Sequence, residues 1–233
     1  MKLFVNGCSF THGHKSWDND KNSPDWVWPS IMSSNFEETV NLAWQGGSNA
    51  RIVRTTLDFF DKVKDGSDWI VVIQWSAITR EDLHDEETDT YFGVLHESPV
   101  PVLTGEDCIK FIHIPDSFYR AVEIYQKTAH MRSTKQMLEK LIYQQFIISS
   151  FFKRKNIKFL FTGMNQRSTI PNDFEHPLKQ YLPPENNLLP ISNFVNIATP
   201  NLIESETDFH PNKKGHQVIA NYITNELKQR NYL

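Results

Sequence analysis

The sequence predicts an α/β protein, a three-layer α/β/α sandwich around a mostly parallel sheet. Two observations predict it. Short unbroken apolar runs alternate with stretches whose apolar residues recur at helical spacing, the pattern of strands buried on both faces and joined by crossover helices. In addition, 233 residues suit one large α/β domain with a sizeable core, so residues 1–233 read as a single domain.

Leu3-Phe4-Val5, ended by Asn6-Gly7, is the first buried strand. Thr39 to Leu42 is a second, shorter one. After Gly46-Gly47, the apolar residues Ile52, Val53, Leu57, Phe60 and Val63 mark a helix that Ser48 or Asn49 can cap. Trp69 to Ile73 is the strongest strand and is expected at the centre of the sheet. Residues 134–155 read as a long helix through Met137, Leu138, Leu141, Ile142, Phe146 and Ile147, followed by a strand from Ile157 to Thr162 that Gly163 ends. Phe194 to Ile197 is expected to be the last strand, and Val218, Ile219, Tyr222, Ile223 and Leu227 a closing helix. Residues 15–36 and an insertion at about 84–132 break the alternation, and 166–192, with five prolines, reads as a further irregular loop.

Composition narrows the function classes. With 24 basic and 28 acidic residues the formal net charge is -4, so no basic field argues for nucleic acid or an anionic membrane as partner. Cys8 and Cys108 give neither a disulfide framework nor metal-type spacing, and no apolar stretch approaches the roughly 20 residues that cross a bilayer. A basic leader is also lacking, so we expect a cytoplasmic, soluble protein.

In open parallel sheets ligands sit outside the carboxyl ends of the strands. Ser9 follows the first strand, Gly46 the second and Gln74-Trp75-Ser76 the third, while His210 arrives from a distant loop just before the last helix. A serine at a strand end and a histidine at a helix start are the two halves of a nucleophile and general-base pair.

These blocks resemble the SGNH, or GDSL-type, hydrolases, a family of esterases, lipases and carbohydrate-ester deacylases. Gly7-Cys8-Ser9-Phe10 looks like the family's nucleophile block, Asn41 to Asn49 with Gly46-Gly47 is similar to its glycine block, and Asp208 to His216 is similar to its terminal acid and histidine block. Gln74-Trp75-Ser76-Ala77 stands where the family has Gly-x-Asn-Asp, Cys8 stands where it has aspartate, and Asp208 precedes His210 by two residues where the family's spacing is three. The resemblance implies a flavodoxin-like sheet and a serine hydrolase working without a cofactor or metal on a small-molecule or carbohydrate ester. Ser9 is then the nucleophile, His210 the base and Asp208 the orienting acid, with Glu206 as the alternative acid. Gly46, Gly47, Ser76, Gln74 and Asn49 become the oxyanion and substrate-binding candidates. A non-catalytic binding protein and an acyltransferase using the same residues stay open beside this reading.

The remaining conspicuous residues have structural readings. Cys8 is expected to be a small buried residue, and His216 a packing residue of the last helix. His12 and His14 flank Gly13 without a carboxylate at metal-site spacing. Trp17, Trp26 and Trp28 lie in the irregular segment after Ser9, where they offer either a flat face for a sugar or a small core of their own.

Overall fold

Five parallel strands form the central sheet of the computed structural model, which describes residues 1–13, 24–85, 90–95, 102–103, 133–165, 168–182, 188–197, 202 and 210–233. The chain enters through β1 (Lys2–Asn6), passes through the short α1 (Ser9–His12) and α2 (Trp28–Met32), and returns as β2 (Glu38–Asn41). Next come α3 (Asn49–Asp61) and β3 (Trp69–Trp75), which is buried along its whole length as its apolar run predicts. An excursion from this sheet follows: β4 (Arg80–Asp85), β5 (Thr90–Leu95) and β6 (Val102–Leu103) pair antiparallel as a second, three-stranded sheet. The central fold then resumes with α4 (Thr134–Arg154), β7 (Lys158–Gly163), β8 (Leu188–Asn193), α5 (Phe194–Ile197) and α6 (Lys213–Gln229).

The order β2-β1-β3-β7-β8 is the flavodoxin-like winding: the chain moves outward from β1 in one direction, then crosses over and runs in the other. Successive strand residues point to opposite faces, and the core divides accordingly. Leu3, Val5, Ile70, Val72 and Leu160 face Trp28, Met32, Phe194, Ile219, Ile223 and Leu227, from α2, α5 and α6. On the other face Phe4, Val71, Ile73, Phe159 and Phe161 meet Ile52, Phe60, Leu141, Ile148 and Phe152, from α3 and α4. Fully burying each such side chain contributes roughly 1.5–3 kcal/mol, so the three layers follow from strands that are apolar on both sides.

Capping fixes where the long helices begin. The Ser48 hydroxyl accepts from Arg51 N at the start of α3, Ser133 and Gln136 make a reciprocal capping box on α4, and Asn212 accepts from Gly215 N on α6.

Three expectations need correction. Phe194 to Ile197 is one turn of helix, because Asn193 Oδ1 accepts from Asn196 N at 2.9 Å and caps it; the last strand is the preceding Leu188–Asn193. That strand contains Pro190, and it sits at the edge of the sheet, where proline is tolerated. The excursion after β3 begins at residue 80 and contains paired strands, and the loop assigned to 166–192 ends in β8. Among the described residues no helix is long and apolar enough to cross a membrane.

Candidate active site

β1 ends in Asn6, whose buried amide donates to Ile52 O, Thr55 Oγ1 and Thr56 Oγ1 on α3, while its Oδ1 accepts from Gly7 N at 2.9 Å. Beyond it the backbone turns sharply into α1, so Ser9 is the first helical residue at the carboxyl edge of the sheet. Gln74 braces this turn from β3. Its Oε1 accepts from Cys8 N at 3.0 Å, Thr11 Oγ1 at 3.1 Å and Cys8 Sγ at 3.3 Å. Three donors on that atom fix the amide orientation, and Nε2 accordingly donates to Trp75 O at 2.6 Å. A methyl group on Gly7 would lie 2.7 Å from Gln74 Oε1 and 2.8 Å from Thr11 Oγ1, so this close approach requires glycine.

His210 comes from the other end of the chain. Its Nε2 lies 2.7 Å from Ser9 Oγ, and its ring packs against Phe10 with centroids 4.5 Å apart. With Nε2 unprotonated, the serine hydroxyl donates to it. Ser9 is buried at 6% exposed, and His210 is half-buried. Asp208 and Glu206, like His14 and Trp17, lie outside the described residues.

The glycine block closes on the same edge. Gly46 adopts φ 71°, Gly47 N donates to Trp44 O and Trp44 N to Gly7 O, and a Cβ on Gly47 would stand 3.2 Å from Gly7 O. Asn49, just after this turn, clamps the end of β3: its Oδ1 accepts from Ser76 N at 2.7 Å and its Nδ2 donates to Ser76 O at 3.1 Å. Ser76 Oγ accepts from Arg80 Nη1 at 3.1 Å.

Burial separates the candidates. Gln74 and Ser76 are 0% exposed, so neither side chain touches solvent or a ligand in this arrangement, and Asn49 spends its amide on backbone. All three hold the strand ends in place. Cys8 is buried, its thiol directed to Gln74 Oε1 and Met164 Sδ.

The neighbouring histidines pack. His12 stands edge-on to Trp44, and burial, outweighing the bond its Nδ1 makes to Gly13 O, holds its pKa below the ordinary value. His216 Nδ1 accepts from Trp28 N, while burial, followed by the neighbouring His210, pushes its pKa down to about 4. Trp28 is buried edge-on to Phe194, and Trp26 packs on His216. Among the described residues no group of three or more His, Cys, Asp or Glu side chains is disposed to hold a metal ion.

Asn6, Thr11 and Arg80 make contacts in this region that local sequence did not single out. Asn6 had the faint signal of a polar residue ending an apolar strand; Thr11 and Arg80 had none.

The fold and this edge define a parallel α/β/α protein with a hydroxyl–imidazole pair at the carboxyl ends of its strands. By sequence the chain belongs to a family of unknown function, DUF6071, whose profile matches residues 18–175 and so stops short of both Ser9 and His210. No curated protein matches the chain. Among solved structures, protein YXIM_BACsu from Bacillus subtilis superposes with a TM-score of 0.51 at 13% identity, over 99% of this chain and 56% of that one. A lipolytic protein of the G-D-S-L family from Veillonella parvula is similar over 97% of both chains (TM-score 0.48, 12% identity). The esterase EstA from Pseudoalteromonas sp. is similar over 100% of this chain and 99% of its own (0.46, 12%). At these identities the likeness is one of fold.

Proposed function

We propose that the protein is a serine-dependent ester hydrolase of the SGNH type. The observation that carries this reading is the 2.7 Å approach of Ser9 Oγ to His210 Nε2, because a serine hydroxyl needs a neutral imidazole within hydrogen-bond reach to become a nucleophile near neutral pH. Ser9 Oγ attacks the ester carbonyl carbon as its proton passes to His210 Nε2. The tetrahedral intermediate expels the alcohol, which takes that proton, and leaves an acyl group on Ser9. Water, deprotonated by His210, then releases the acid and restores the hydroxyl. Asp208 is our candidate for the carboxylate that orients His210 and stabilises its imidazolium. The backbone N–H groups of Ser9 and Gly46 are the oxyanion donors we assign, since the burial of Gln74 and Ser76 leaves backbone as the better source.

Labelling with a fluorophosphonate, together with release of nitrophenol from short acyl esters, tests the reading. Wild type is expected to be labelled and to turn over. Ser9→Ala and His210→Ala are each expected to lose on the order of 10⁴-fold or more in kcat while keeping the folded circular dichroism spectrum, since members of such a pair act as a unit. Wild-type turnover in Ser9→Ala would overturn the assignment. Product analysis with added alcohols separates hydrolysis from acyl transfer.

A further inference from the structure

Arg80 occupies an unusual position among the charged residues of β4. Its two successors are paired: Glu81 with Lys140 on α4, and Asp82 with Arg54 on α3. Arg80 has no carboxylate partner among the described residues; its guanidinium donates through Nη1 to Ser76 Oγ, and Ser76 is itself fully buried and clamped by Asn49. The side chain is half-buried. A long flexible cation is thus tethered by a buried hydroxyl that the end of β3 holds in place.

That tether lies beside the candidate nucleophile. β1 and β3 are parallel neighbours in register Asn6↔Ile73, and Ser9 and Ser76 follow their carboxyl ends, so both stand at the same edge of the sheet. Tethering one N–H leaves the rest of a five-donor planar fork, whose geometry matches carboxylate and phosphate oxygens bidentately. A neutral ester offers it nothing comparable.

We infer that Arg80 is an anion-binding residue of the cleft and that the substrate carries a fixed negative charge, a carboxylate or phosphate group, apart from the ester that reacts. This rests on the ester-hydrolase reading for the reaction, though the anion site itself is testable without turnover.

Two measurements test it on the full chain. In the first, mono-4-nitrophenyl adipate is compared with 4-nitrophenyl hexanoate, which has the same acyl length and no charge. Wild type is expected to favour the charged ester in kcat/KM, and Arg80→Gln to reduce the charged-to-neutral ratio roughly ten- to hundredfold, with Arg80→Lys between them. In the second, Ser9→Ala protein is titrated calorimetrically with monomethyl adipate, methyl hexanoate and inorganic phosphate. Binding of an anion that the added Arg80→Gln substitution abolishes, in a protein with unchanged circular dichroism, supports the site, and the tighter of the two anions identifies the headgroup. Equal handling of charged and neutral compounds overturns the inference and leaves the ester-hydrolase reading intact. Anion binding that depends on Arg80 in a protein that neither labels nor turns over would uphold the site and sink that reading. Equal loss of kcat on both esters in Arg80→Gln would make Arg80 an oxyanion donor and likewise overturn the inference.

Discussion

Gln74 shows how a residue can brace the turn that carries a candidate nucleophile without touching that side chain. Its carbonyl oxygen gathers the Cys8 amide, the Cys8 thiol and the Thr11 hydroxyl, so the backbone on either side of Ser9 is referred to one buried atom on the central strand. Replacing it by leucine keeps the volume and strands a buried N–H, a loss of about 1–3 kcal/mol. We expect Gln74→Leu to lower the unfolding free energy measured in urea by that amount and to slow fluorophosphonate labelling about tenfold or more, with KM little changed, because the hydroxyl is misplaced while the rest of the site is not. Labelling at the wild-type rate would show that the turn holds Ser9 unaided. Ser9 and His210 were legible in the sequence because each sits in a short block next to an element boundary. The role of Gln74 was not: its amide was a candidate oxyanion donor, and only the convergence of three donors from Cys8 and Thr11 on its oxygen assigns it to support.

At the scale of single elements, α6 couples the histidine block to the core. Its first turn buries His216, whose Nδ1 accepts from Trp28 N and whose Nε2 has no partner among the described residues. In the folded chain this imidazole resists protonation down to about pH 4, against an ordinary value of 6.5. The unfolded chain therefore binds the extra proton first. The stabilisation is complete above about pH 6.5 and is lost as the pH falls toward 4, by up to roughly 3 kcal/mol. The depressed pKa of His12 acts in the same sense, while Asp82, raised by burial in spite of Ser48, Arg54 and Arg51, acts in the opposite sense. Urea unfolding between pH 7 and 4 is expected to show this slope in wild type and a flatter one in His216→Gln; equal slopes would mean that His216 is not its source. Elements differed in how readily they could be read. β1, β3, α3 and α4 were plain from apolar period alone. β8 was hidden by Pro190 and a polar end, α5 mimicked a strand until Asn193 capped it, and β4, written Arg-Glu-Asp-Leu-His-Asp, draws its pairing from a neighbouring strand and not from its own hydrophobicity.

For the molecule as a whole, the two cores share one sheet: Val71 and Val72, adjacent in β3, belong to opposite layers. Neither layer can lose its strands without stripping the other, so we expect a single cooperative unfolding transition. The chain supplies its own pair of probes. All six tryptophans lie at or before residue 75, whereas the two longest helices among the described residues, α4 and α6, begin at residues 134 and 213. Fluorescence therefore follows the first third of the chain and helical circular dichroism weights the rest. Coincident curves are the expected result; separated midpoints would divide residues 1–233 into independently folding parts. The separation between Ser9 and His210 has a consequence of a different kind. A chain growing from its N-terminus displays the serine early, yet 201 residues pass before the imidazole that approaches it can be made. Whatever reactivity that pair confers waits on its second member, so a truncated chain ending before residue 210 would carry the hydroxyl without the imidazole that approaches it.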